Sequence, residues 1–361
     1  MFSKIFVYIK IYTCTVIVIK KDINNICEDK IKRRYIKMKN KQKKNKIMEI
    51  VIGIGIMVLL AFGIIKIDDD GNISLAGVEI LGTSVDSLND DSDSSRNLMN
   101  EEIVIGENEL YIYFLDVGQA DSIFIYNNEE SMLIDAGNNP DGQLICDYLK
   151  SLGITKIDYL VGTHPHEDHI GGLDNVINTF DIGTIYMPKK SATTKTFEDV
   201  IEAVADAGLK VKAPKIGTTF RVGNAICEVM TIDNNAEDAN LASISIEMTY
   251  GTQKFLFTGD METPNEDSRN WNDIDVLKVA HHGSTTSSSK KFLSQIKPEI
   301  AIISCGKGND YGHPHKEILQ RLKKINCDVY RTDLLGTILL KSDGTTNELE
   351  FLDVSLNKEE K

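Results

Sequence analysis

The sequence predicts an α/β (α+β) fold, sheets covered by helices, behind an N-terminal transmembrane anchor. Two observations predict the globular part. From residue 110, short β-rich runs succeed one another, some joined directly and others separated by helical stretches. That pattern packs as sheets with helical cover. A chain of 361 residues, 42% of them apolar, also holds enough apolar mass for a sizeable core. The anchor rests on a third observation. Residues 47–65, IMEIVIGIGIMVLLAFGII, carry Glu49 as their one charge and match the length of a membrane-spanning helix.

The elements follow in order. Residues 1–46 hold 14 Lys or Arg against 3 Asp or Glu, and basic flanks favour the cytoplasmic side. Met38 opens a stretch that reads as a complete signal anchor. Residues 1–37 are then an upstream extension, or a weaker second membrane segment around 5–19. The anchor is expected over 47–67, uncleaved because no small-x-small site follows it. What lies beyond is expected outside the cell, tied to the cell membrane by a single pass. Residues 68–108, with SVDSLNDDSDSSRN at their centre, are acidic and poor in apolar residues, which predicts a disordered linker. Residues 109–355 form the globular domain. Its strands are expected at YIYFLDV, SIFIY, SMLID, DYLVGT, TIYM, ICEVMTI, SISIEMTY, KFLFTG, DVLKVA, EIAIIS and GTILL. Helices are expected at QLICDYLKSLG and TFEDVIEAVADAG, both ending in Gly, and at EILQRLKKIN. The six cysteines show no CxxC. A domain of this size needs no disulfide frame, so the four within it are expected to pack as small hydrophobes.

Residues 110–361 hold 24 basic and 38 acidic residues. A domain that grips a phosphate backbone shows a basic face, so tight binding of long nucleic acid is disfavoured. Bound divalent cations would offset part of the negative charge locally.

All seven histidines fall in three clusters, 164–169, 281–282 and 313–315. The first reads THPHEDHIGGL after the strand DYLVGT, with a helix expected to start near Ile170. Two imidazoles two residues apart on a turn can grip one ion, and Asp168 with His169 can face a neighbouring position. Imidazole and carboxylate suit zinc. Gly171 and Gly172 let backbone approach closely. Two ions need a further bridging carboxylate from elsewhere in the chain.

HxHxDH followed by GG resembles the metallo-β-lactamase superfamily. FLDVGQADS, LIDAG, FTGD, LKVAHHGS and YGHPH are similar to the hydrolase domain of ComEC-type competence proteins and their stand-alone relatives, over about residues 110–355. The resemblance implies a four-layer αββα sandwich with a dinuclear site at one edge, holding two divalent ions, zinc or alternatively manganese. It implies that His164 and His166 bind the first ion, that Asp168 and His169 bind the second, and that Asp260 bridges both. One of the HHG pair adds a ligand to the second ion; His282, beside Gly283, is preferred to His281. The hydrolytic β-lactamases supply a further first-ion His before the bridging carboxylate. No His stands here between 169 and 281, an absence that ComEC-like members share and that argues against β-lactam hydrolysis. Asp135 is expected to orient a ligand imidazole. Asp116 and Asp121 are expected to support the site floor or simply to shape the Gly118-Gln119 turn. Asn240 and Ser243 match a polar pair that lines the cleft in the family. His313 points at the substrate side, as a substrate-binding or proton-donating group, and His315 opens the helix EILQRLKKIN.

The resulting expectation is a membrane-anchored hydrolase in which a hydroxide readied by two divalent ions cleaves a phosphodiester, of DNA or of the envelope. Asp168, Asp260 and His313 stand at the chemistry. A non-hydrolytic DNA-binding accessory of competence and a thioester or lactone hydrolase are the alternatives. Neither the oligomeric state nor the substrate's identity is legible.

Overall fold

The computed structural model describes residues 109–352 and, by itself, an antiparallel pair of short strands, β1 (Ile65–Ile67) and β2 (Ile73–Leu75). That pair lies where the expected anchor gives way to the expected linker. The remaining expectations for 1–46, 47–67 and 68–108 fall outside the described residues. Among the described residues no helix is long and apolar enough to cross a membrane.

The globular part begins with β3 (Leu110–Phe114), β4 (Ile123–Asn127) and β5 (Glu130–Ile134), an antiparallel meander. Helix α1 (Gly142–Ser151) then leads to β6 (Lys156–Val161), parallel to β5. A single turn, α2 (Glu167–Ile170), and α3 (Leu173–Thr179) precede β7 (Asp181–Tyr186). Helix α4 (Lys195–Asp206) precedes β8 (Val211–Lys212). The second sheet opens with the antiparallel strands β9 (Thr219–Val222), β10 (Ala225–Thr231), β11 (Ser245–Tyr250) and β12 (Gln253–Phe257). It continues through α5 (Thr263–Asp267), β13 (Val276–Lys278), α6 (Lys290–Ile296), β14 (Ile300–Ile303), α7 (Lys316–Lys324) and β15 (Asp328–Arg331), with β12 to β15 parallel. The chain returns to the first sheet through α8 (Thr332–Leu335), β16 (Thr337–Ser342) and β17 (Asn347–Leu352). The sheet orders are β17-β16-β3-β4-β5-β6-β7-β8 and β15-β14-β13-β12-β11-β10-β9.

Strand alternation decides the layers. Leu110, Ile112 and Phe114 of β3 face inward onto Phe255, Phe257 and Ile246 of the other sheet. Tyr111 and Tyr113 face outward onto Ile145 and Leu149 of α1. On the far side, Leu256, Leu277 and Ile303 pack against Phe292 and Ile296 of α6 and Ile318 and Leu322 of α7. The order is helix, sheet, sheet, helix, the expected αββα sandwich. Each fully buried Leu, Ile or Phe stabilises it by about 1.5–3 kcal/mol.

All the expected strands and all three expected helices form. The helix expected near Ile170 begins earlier, at Glu167, and is broken after one turn at Gly171-Gly172; a Cβ on Gly171 would overlap the backbone of Asn138 and Asn139. Cys146, Cys227, Cys305 and Cys327 are free and buried, as expected.

Candidate metal centre

Every chemically notable loop leaves the C-terminal end of a strand. The first sheet contributes Asp135 after β5 and residues 163–169 after β6. The second contributes Gly259-Asp260 after β12, Ala280–Gly283 after β13 and Ser304–His315 after β14. The loops meet closely: a Cβ on Gly259 would lie 3.0 Å from the Thr163 side chain.

Asp260 sits at the centre, 2% exposed. Its Oδ1 lies 3.2 Å from His169 Nε2 and 3.8 Å from His282 Nε2. Its Oδ2 lies 3.6 Å from His281 Nε2 and 3.9 Å from His164 Nε2. Asp168 Oδ2 completes the Oδ1 side, 3.8 Å from His169 Nε2 and 3.3 Å from His282 Nε2. Ligand atoms of Asp168, His169, Asp260 and His282 all lie within 4.8 Å of one another. His169 Nε2, His282 Nε2 and Asp260 Oδ1 are buried without a hydrogen bond. Orphaned buried polar atoms are costly, and a cation among these three would satisfy them together. The donor set fits a metal ion on that ground.

The Oδ2 side is looser. His164 Nε2 is 3.0 Å from His166 Nδ1, and His166 is exposed at the mouth. His281 joins them there; its Nδ1 meets Thr286 Oγ1 at 3.1 Å and Glu262 Oε1 at 3.3 Å. The geometry therefore separates the adjacent histidines: His282 belongs with Asp168 and His169, and His281 with His164. Left-handed backbone makes this separation, with φ of 49° at His281, 51° at His282 and 85° at Gly283. Such conformations cost about 1–3 kcal/mol each in non-glycine residues and persist only where the surroundings hold them. The holders are main-chain bonds from His281 N to Gly259 O, Ser284 N to His281 O and His315 N to Gly283 O.

Buried polar side chains surround these groups. Asp135, fully buried with φ 60°, accepts from Thr163 N at 2.8 Å, Thr163 Oγ1 at 2.7 Å and His169 Nδ1 at 2.8 Å. Ser243 Oγ accepts from Asp260 N at 3.2 Å and lies 3.4 Å from His164 Nδ1, linking the two halves. Asn240 is buried beside it in a short 3-10 turn. Asp116 takes the turn role, its carboxylate accepting from Gly118 N, and enters neither carboxylate–imidazole group among the described residues. Asp121 does enter the floor. His315 caps α7, as expected, and its Nδ1 accepts from Thr285 N.

His313 stacks on His282 with ring centroids 6.3 Å apart. Gly306 N donates to Gln119 Oε1 at 3.0 Å, which turns the amide nitrogen of Gln119 toward His313 Nδ1 at 3.4 Å. Nδ1 then accepts, leaving the proton on Nε2. Burial, with His282, His281 and His315 nearby, lowers its pKa to about 4. It is neutral at pH 7 and offers a hydrogen bond. Of its two expected roles, substrate binding is the one that this arrangement of the metal-free chain favours.

Burial holds His164 well below the usual histidine range. Burial acts the same way on His169, but the carboxylates of Asp260, Asp135 and Asp168 outweigh it and hold this group well above that range. His282 is likewise raised, burial being overcome by Asp260 and Asp121. Burial would raise Asp168 and Asp260, yet the neighbouring imidazoles, His169 foremost, bring both below the carboxylate range.

Sequence reasoning missed Lys278, Gln119, Thr163 and Ser304 as members of the site. Lys278 had a signal, a lone cation inside the apolar run DVLKVA.

Known proteins bear on the whole arrangement. ComE operon protein 3 of Bacillus subtilis is 30% identical over 247 residues, covering 62% of this chain and 32% of that protein. Recombination protein 2 of Haemophilus influenzae is 30% identical over 231 residues, covering 62% and 28%. Competence protein ComA of Neisseria gonorrhoeae is 29% identical over 240 residues, covering 65% and 32%. The chain thus spans about a third of the length of these curated relatives. Among solved structures, the metallo-beta-lactamase fold protein YhfI of Bacillus subtilis aligns at 12% identity with a TM-score of 0.45, over 65% of this chain and 100% of that one. Residues 115–307 match the metallo-beta-lactamase superfamily, a stretch that takes in every clustered group above except His313 and His315, and on that match the chain belongs to the superfamily.

Proposed function

We propose that the chain is a two-metal phosphodiester hydrolase, held at the outer face of the cell membrane by residues 47–67. The observation that carries the reading is the division of Asp260, with Oδ1 toward His169 and His282 and Oδ2 toward His164 and His281. A carboxylate with one oxygen toward each of two imidazole sets is disposed as a bridging ligand. Asp168, His169, His282 and Oδ1 would hold one ion. His164, His166 and Oδ2 would hold the other, with His281 on that side. The donors suit zinc, with manganese the alternative. Bound there, two divalent ions supply Lewis-acid stabilisation of developing charge and ready a water for attack.

The chain's own groups do the positioning. Asp135 holds His169 through Nδ1 so that Nε2 faces the centre. Ser243 ties Asp260 to the His164 loop. The neutral His313 offers its Nε2–H at the mouth, where a substrate oxygen would enter. Relatives named for competence and recombination support a phosphodiester over a carbonyl substrate. The acidic excess of residues 110–361 favours a small or envelope phosphodiester, or short DNA, over long duplex.

The test is turnover of bis(p-nitrophenyl) phosphate and of a thioester by the full chain loaded with Zn²⁺ or Mn²⁺, with His166→Ala as the blank. Diester cleavage that vanishes in the blank supports the reading. An untouched diester beside a hydrolysed thioester overturns the substrate class. DNA retained without cleavage replaces hydrolysis by a binding role.

A further inference from the structure

Beneath the centre lies a buried ion pair that joins the two sheets. Lys278 ends β13, and alternation with Val276 of the inter-sheet core and Leu277 of the outer layer turns its side chain between the sheets. Its Nζ donates to Asp121 Oδ2 at 2.8 Å and to Val279 O at 3.1 Å. Asp121 precedes β4 of the opposite sheet, and both side chains are 2% exposed or less. Asp121 is also fixed by its main chain: its N donates to Asp168 O, and its O accepts from Gly137 N.

The other oxygen, Asp121 Oδ1, is buried without a hydrogen bond and lies 3.5 Å from His282 Nδ1. That nitrogen meets Ser304 O at 3.1 Å. Both neighbours of Nδ1 are acceptors, so Nδ1 must carry a proton. In a neutral imidazole the lone pair is then on Nε2, which faces Asp168 and Asp260.

We infer that Asp121 and Lys278 are positioning residues for the second metal site. Ser304 O takes the Nδ1 proton of His282, the Asp121 carboxylate adds negative charge behind the same nitrogen and so steadies the ring that presents Nε2 to the ion, and Lys278 supplies the counter-charge that lets a carboxylate sit there. A carboxylate behind a ligand imidazole raises its basicity and fixes its ring. A buried carboxylate left without a partner would be strongly destabilising, which is why the cation and the acid belong together. Because the two come from different sheets, the pair also sets the distance between the half-site carrying Asp168 and His169 and the half-site carrying Asp260 and His282.

The inference rests on the two-metal reading, and the experiment keeps the two apart. The full chain is stripped of metal and titrated with Co²⁺, following the visible absorption of the ion. Stoichiometry in the wild type tests the centre, and the ratio of variant to wild-type affinity tests the pair. Asp121→Asn and Lys278→Met are expected to weaken the second ion by about ten- to a hundredfold, to alter its absorption band and to leave the first nearly unchanged. The double replacement Lys278→Met with Asp121→Leu removes both buried charges. It is expected to recover the metal-free Tm relative to Lys278→Met alone, yet not the second-ion affinity. It also carries the test should a single variant fail to fold. Recovery of the second-ion affinity together with Tm in the double would reduce the pair to a structural clamp and overturn the inference. So would variants that bind both ions like the wild type, or a wild type that takes up no second ion.

Discussion

Asp135→Asn isolates one carboxylate oxygen from everything else about that position. Asp135 has left-handed backbone at φ 60°, a conformation that Asn adopts about as readily as Asp, so the substitution adds no backbone strain. The two carboxylate oxygens accept three donors, and no water reaches them. An amide has only one oxygen. With its NH₂ at the Oδ1 place it opposes Thr163 N–H and strands a buried donor, costing about 1–3 kcal/mol. With its NH₂ at the Oδ2 place it opposes His169 Nδ1–H and favours the other tautomer, with the proton on Nε2 where the ion should bind. Either way the variant folds with a metal-free Tm several degrees lower, at about 2–4 °C per kcal/mol for a domain of this size. The second ion binds about ten- to a hundredfold more weakly, or about 1.4–2.8 kcal/mol. The assay is competition with a chromophoric chelator beside a melting curve of the metal-free chain. A folded Asp135→Asn chain that keeps wild-type affinity for both ions would refute the claim that Asp135 acts through His169.

Three further outcomes follow from the same geometry. Gly171→Ala would drive a Cβ into the backbone of Asn138 and Asn139 and should cost about 1–3 kcal/mol or more, read as a lowered Tm; an unchanged Tm would mean that the loop yields freely. Gln119→Leu removes the donor that fixes His313, and kcat/KM should fall about two- to tenfold, the worth of one hydrogen bond. A wild-type value there, with His313→Ala impaired, would detach Gln119 from His313's role. In the metal-free chain the stabilising contributions of His169, His282, Asp168 and Asp260 should be present together between about pH 4 and 6.5, while the lowered His164 and His313 subtract stability as pH falls below about 6.5. The raised His169 and His282 contribute stability present below their unfolded pKa and lost as pH rises through the folded values. The depressed Asp168 and Asp260 contribute stability present above their unfolded pKa and lost as pH falls. Urea melts across pH check it, and a stability that climbs steadily from pH 6 to 9 would contradict it.

The αββα layers were legible because the buried strands are written as continuous apolar runs and α1, α4 and α7 keep helical spacing with clear ends. The elements that escaped are of another kind. Strand β8 has two residues, β17 alternates polar with apolar on a half-exposed edge, and α6 is a seven-residue helix set by its Ser289 cap. The first-sheet ligands could be read because one loop carries all four. His282 could be preferred to His281 only for its neighbour Gly283, since residues adjacent in the chain are sent to opposite sides of Asp260 by three left-handed residues. Lys278 and Asp121 are 157 residues apart, and nothing local in either segment announces that they meet.

The acidic composition acquires a different weight once the site is located. Asp121, Asp135, Asp168 and Asp260 crowd around His169, and among the described residues Lys278 is the only Lys or Arg among the buried polar groups. Without metal, these carboxylates raise the pKa of His169 and His282 against the effect of burial. Divalent ions compete with protons for those nitrogens, so loading the His169 site should release more protons than loading the His164 site, whose imidazole burial holds well below the usual histidine range. The ligands come from two sheets that are apart in the unfolded chain. An ion that needs the whole set binds the folded state more tightly than the unfolded one, and that difference in affinity adds to stability. The negative excess that disfavours a long polyanion is, at this edge of the sandwich, what makes two cations and a sandwich closed around them mutually dependent.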